Sequence, residues 1–197
     1  MQRAAVGFRV HSGWAAMVVV AVEKTEPIVL ARRRLQLVRT FSYTFRQPYH
    51  TAEKMEPAEA AAFVRSVETE SRELALAGIR SQQKELERPD FSLCDGALLL
   101  AAGRKLPEFQ KILASHALIH TADGELFREA LRRSCSGAGL ALHEIAERQL
   151  LASATQRLKK RADFLNRKLT ALGKSLGPPW TQDEKLSALA AWLVLAS

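Results

Sequence analysis

The spacing of apolar and polar positions changes along the chain, and each change marks an element. Over the first forty residues it is strand-like: "AAVGFRV" (4–10), "WAAMVVVAVE" (14–23) and "IVLARRRLQLV" (28–38) are rich in β-branched and other apolar residues. The breaks between them, "HSG" (11–13) and "KTEP" (24–27), carry turn residues. Connections this short join antiparallel neighbours, because a parallel return needs a crossover of about a dozen residues. The third strand carries Arg32, Arg33 and Arg34 in a row, a charge density that suits a sheet edge or pairing with acids on the long helix that follows.

From Pro57 the period becomes helical. Ala60, Phe63, Val64, Val67, Leu74 and Ile79 fall along one face, Pro57 suits a first turn, and "RPD" breaks the helix after Leu86. The stretch before it, with "RQPYH" (46–50), is predicted as a loop. "LCDGALLLAA" (93–102) is apolar enough for a strand inside a parallel sheet. A short helix is expected over 106–114 and a longer one over 121–136, capped by Thr121 or Asp123 and ended by "GAGL". "ALHEI" (141–145) is a last strand, followed by helices over 147–156, 161–172 and 181–195. This order predicts an α/β protein with a five-stranded mixed sheet, its first three strands antiparallel, covered by helices on both faces.

At 197 residues the chain fits one domain, 1–197, with a core of ordinary size. Its longest apolar run, 14–22, is strand-sized, so no membrane span is expected, and the N-terminus lacks a signal-peptide pattern. Cys94 and Cys135 lie far apart and are expected to be reduced in a cytoplasmic protein. The net charge of +8 favours a polyanionic partner, DNA or RNA, and also suits an ordinary soluble surface with a basic bias. Between Gln156 and Lys174 seven basic residues, Lys159, Lys160 and Arg161 among them, face a single acid, Asp163. There is no P-loop, GxGxxG, GxSxG or CxxC, which argues against nucleotide-triphosphate, dinucleotide and α/β-hydrolase chemistry.

Three stretches carry candidate chemistry. His11, in the first turn, suits phosphate contact or an ordinary turn role. Arg104 and Lys105 follow the fourth strand at its C-terminal end, where open α/β sheets bind ligands. "SHALIHTADGELFREAL" (115–131) is dense in polar groups: His116, His120, Asp123, Glu125, Arg128 and Glu129. His116 and His120 are four apart, which on a helix makes a usable metal pair. Glu125 and Arg128 have the spacing of an exposed ion pair.

"VGFRVHSGWAAMVVV", "ELFREALRRSCSGAGLALHEI" and "QDEKLSALAAWLVLA", in this order and with these separations, resemble the RuvC-type Holliday-junction resolvases of the ribonuclease H-like fold. The resemblance implies a carboxylate cluster holding two Mg²⁺ or Mn²⁺ ions, drawn from the first strand, the end of the fourth strand and the last helix. It also implies nucleic acid as partner and a homodimer. The chain departs from that pattern at two of the three places. Phe8 and Arg9 stand where the first-strand acid belongs, and "LLLAAGRK" supplies none. Only Asp183 and Glu184 match, and "TQDE" (181–184) equally fits a capping box with Thr181. The expectation is a degenerate catalytic centre on a nucleic-acid-binding or processing protein. Were it a divergent nuclease, Asp183, Glu184 and Glu125 would be its acids, Asp183, Glu184 and His120 its metal ligands, and His11 or His120 would assist. His11, Arg104, Lys105, Arg128, Lys159, Lys160 and Arg161 would contact nucleic acid. The alternative is a non-catalytic scaffold or protein-interaction domain.

Overall fold

A computed structural model describes residues 1–86, 90–101 and 105–196. The strands are β1 (Gln2–His11), β2 (Trp14–Glu23), β3 (Glu26–Gln36), β4 (Phe91–Leu100) and β5 (Ala141–Ala146). They form one sheet in the order β3-β2-β1-β4-β5. β1, β2 and β3 pair antiparallel, while β4 runs parallel to β1 and β5 parallel to β4. The β1–β2 hairpin closes between His11 and Trp14, and Gly13 adopts a φ of 82° in the turn, the conformation for which glycine is suited. β3 is an edge strand, as its arginines suggest, and Arg33 pairs with Glu85 on the long helix.

Strand periodicity divides the core in two. Ala4, Val6 and Phe8 of β1, with Ala15, Met17 and Val19 of β2, face one side. Ala5, Val18, Val20, Ala97 and Leu99 face the other. The first face is covered by α1 (Tyr43–Arg46), α2 (Pro48–Ala52), α3 (Pro57–Glu85), α4 (Phe109–Leu113) and α5 (His116–Gly137). The second is covered by α6 (Leu150–Arg157), α7 (Ala162–Leu176) and α8 (Gln182–Leu195), after a 3-10 turn over Glu147–Gln149. Cys135 is fully buried in the first core, and burial pushes its thiol up to about 12, which makes it an inert packing residue.

Two expectations are corrected here. The segment around "RQPYH" is helical, forming α1 and α2, because Pro48 opens a helix whose Pro48, Tyr49, His50 and Ala52 are buried. α5 begins at His116, with Ser115 at the N-cap position, so neither Thr121 nor Asp123 caps it. Asp123 is instead a buried acceptor in mid-helix.

α8 is apolar on every side, and its residues from Ser187 to Val194 are all buried. It lies against β1, β2 and β4. The contact with β1 is backbone to backbone: a β-carbon on Gly7 would overlap the carbonyl oxygen of Ser187 and crowd the amide nitrogen of Ala191. Gly7→Ala is therefore expected to cost about 3 kcal/mol, the upper range for overpacking, since backbone rather than a movable side chain is in the way. Urea denaturation measures this directly. An unshifted midpoint would show that α8 does not rest on Gly7.

Candidate functional site

β1, β4 and β5 run parallel, so their C-terminal ends open on the same edge of the sheet. A cleft of about 630 Å³ lies there, lined by Arg9, His11, Leu100, Ala101, Arg128, Glu147, Arg148 and Gln182 among others. An ion cluster built on Arg9 forms part of its lining. Nε and Nη2 of Arg9 donate to the two carboxylate oxygens of Glu147, each at 2.9 Å, and Nη1 donates to Asp183. His11 Nε2 lies 3.0 Å from the same Asp183 oxygen and its ring stacks on Trp14, with centroids 4.4 Å apart. The hydrogen bonds it donates to Glu147 raise the Arg9 guanidinium further above its ordinary value, so its charge is permanent. Burial on its own would raise the Asp183 carboxyl; the hydrogen bonds from Arg9 and His11 outweigh it and hold the group below its ordinary value.

The acidic pair of the last helix is split between two jobs. Glu184 closes the capping box: its carboxylate accepts from the Thr181 amide at 2.7 Å, while Thr181 Oγ1 accepts from the Asp183 amide at 3.2 Å. Asp183 turns to Arg9. Glu125 is bound to Arg128 at 3.3 Å and to Arg132 at 2.6 Å, and Arg132 also reaches Glu129 and Glu144. His120 lies in another cluster, with its Nε2 3.1 Å from that of His116. The structure thus does not assemble Asp183, Glu184 and His120 into one ligand set, nor Glu125 with the acids of α8, because each already holds local partners.

The carboxylate centre implied by resemblance needs oxygen ligands from β1, the end of β4 and α8. β1 presents Arg9 and His11, β4 ends in Leu99 and Leu100, and both Glu147 and Asp183 are engaged by Arg9. These residues do not fit two hard cations. The cleft is better suited to anions. Arg128 lines it with a buried Nε that has no hydrogen-bond partner, and Arg148 is exposed and forms no ion pair among the described residues. Lys105 is exposed just past β4, and Arg104 lies outside the described residues. Lys159, Lys160 and Arg161 are exposed between α6 and α7 around a hollow of about 420 Å³ shared with Phe164 and Arg167. One α6 length, about 12 Å, separates them from the cleft.

No protein-family model matches the chain, and no curated protein matches it either. Solved structures do. RuvC of T. thermophilus in complex with a Holliday junction substrate aligns with a TM-score of 0.57 at 10% identity, over 96% of this chain and 91% of its own. The chain has a RuvC-type ribonuclease H-like fold. A second Thermus thermophilus RuvC structure agrees, with a TM-score of 0.53 at 10% identity and the same coverage. Among the described residues no helix is long and apolar enough to cross a membrane.

Glu147 and Arg148 were missed as cleft residues in the sequence. The signal was available: they directly follow β5, and the rule that drew attention to Arg104 and Lys105 after β4 applies equally there. His50 and Asp123 were missed as partners of the histidine pair. His50 Nδ1 lies 2.5 Å from Asp123, whose other oxygen accepts from the Tyr49 amide at 2.7 Å.

Replacing Arg9 with alanine would leave Glu147 and Asp183 without their cation, at an expected cost of about 1.5–3 kcal/mol, the range for hydrogen bonds to charged groups. The Asp183 part carries a pH signature. Its carboxyl titrates lower in the folded than in the unfolded chain, so its contribution is complete above the unfolded value and vanishes as pH falls through the folded one. Denaturation of the wild type and of Asp183→Asn should differ at neutral pH and converge in acid. A difference that is constant with pH would mean that Asp183 is not held by charge.

Proposed function

We propose that this chain binds nucleic acid along its cleft and does not hydrolyse it. The observation carrying this reading is Arg9: a permanent cation bridges Glu147 and Asp183 at the strand edge where the resemblance calls for metal ligands. Arg128 and Arg148 face the same cleft, and the net charge of +8 supports a polyanionic ligand. That one neighbour of the fold was solved with a Holliday junction substrate supports branched DNA as the first ligand to try. Lys105 and the Lys159, Lys160, Arg161 loop are further exposed basic groups that a bound strand would meet. Their part is backbone contact, which positions a strand without reading its sequence.

The test is fluorescence anisotropy with labelled four-way-junction, duplex and single-stranded DNA over a salt series, with product analysis in Mg²⁺ and in Mn²⁺. Binding should weaken steeply with salt, Arg148→Ala should reduce the salt slope by about 1, and no cleavage should appear. Cleavage abolished by Asp183→Ala would replace this reading with that of a divergent metal-dependent nuclease. A folded protein that binds none of the three would leave the protein-interaction scaffold.

A further inference from the structure

On the face of the sheet opposite α8, three histidines converge. His50 comes from α2, and His116 and His120 stand one turn apart at the start of α5. One ring nitrogen from each lies within 4.8 Å of the other two. The rings meet edge to face, with centroids 4.4 to 5.2 Å apart. We propose that His50, His116 and His120 form a site for one divalent transition-metal ion, Zn²⁺ by preference.

Three features of the cluster support this. The first is the donor set: neutral imidazoles suit zinc and its neighbours, whereas Mg²⁺ and Mn²⁺ prefer oxygen. The site is therefore chemically distinct from the carboxylate centre discussed for the cleft, and it stands or falls independently of nucleic-acid binding. The second is spacing. Two ligands at 2.0–2.1 Å from a tetrahedral ion lie about 3.3 Å apart, and the Nε2 atoms of His116 and His120 are 3.1 Å apart.

The third feature is the buried support behind His50. Asp123 is 4% exposed, and its carboxylate engages both His50 Nδ1 and the Tyr49 amide. With Nδ1 donating to the carboxylate, the His50 lone pair is on Nε2, the nitrogen left to bind an ion. A carboxylate–histidine–metal relay of this kind fixes both tautomer and ring orientation. His50 itself is only 6% exposed, while His116 and His120 are open to solvent. Three protein ligands on a half-open site leave the fourth position to water or to a ligand from outside.

The full-length chain, stripped with chelator, is titrated with Zn²⁺ by calorimetry, and Co²⁺ serves as the optical probe of tetrahedral nitrogen ligation. The expected result is one ion per chain. His116→Ala and His120→Ala, both at exposed positions, should each weaken binding at least tenfold while the fold is kept. Asp123→Asn should weaken it about 10–100-fold. His143→Ala, on β5, should bind as the wild type does. No saturable Zn²⁺ binding by the folded wild type would overturn the site. So would affinity unchanged in the His116→Ala/His120→Ala double variant, which would place the ion elsewhere.

Discussion

The contact between Gly7 and Ser187 sets the geometry of the whole cleft. A strand advances about 6.8 Å over two residues and a helix about 6 Å over four, so a strand and a helix laid side by side keep nearly the same step. Gly7 meets Ser187. Two residues along β1, on the same face, is Arg9, and one turn back along α8 is Asp183. The ion pair between them is the next rung of the same contact. Its formation depends on α8 lying close enough for the guanidinium to reach, and only glycine at position 7 permits that distance. The capping box fixes the remaining freedom by holding the first turn of α8 in place, so that Asp183 is presented to Arg9 rather than to solvent.

A guanidinium is a particular choice for that position. It is planar, carries its charge at any accessible pH, and offers donors in a fork that matches a carboxylate. Arg9 spends two donors on Glu147 and a third on Asp183, and thereby joins β1 to the end of β5 and to α8. Metal ions in such a site would be exchangeable and would bring open coordination positions; an arginine is covalently attached and brings none. The same residue supports the edge mechanically, through donors to two elements at once.

The sheet was legible in the sequence because its signals are local. Period-two alternation, short turns and the apolar run of β4 each lie within about ten residues, and a capping box occupies four. What was not legible depends on separation. Arg9 and Glu147 are 138 residues apart, and His50 and Asp123 are 73 apart. No spacing rule connects such pairs until the fold brings them together. Asp123 illustrates the cost of reading it locally: near a helix start an aspartate suggests a cap, yet α5 begins a full two turns earlier and the carboxylate is used across the helix interface. On α8 the capping role of Glu184 was legible in "TQDE", whereas the turn of Asp183 toward Arg9, 174 residues away, was not.

α5 is the element common to both sites. His116 and His120 occupy its first turns, and Arg128, eight residues beyond His120, lines the cleft about 12 Å farther along the helix. α2, by contrast, is five residues long, too short to be a stable helix without its tertiary contacts. Asp123 already ties α2 to α5 through Tyr49 and His50. A metal held by His50, His116 and His120 would be a second tie across the same interface, and it would act on the helix that carries Arg128. The histidine cluster and the cleft edge are thus joined mechanically through α5, which passes from one to the other without a break.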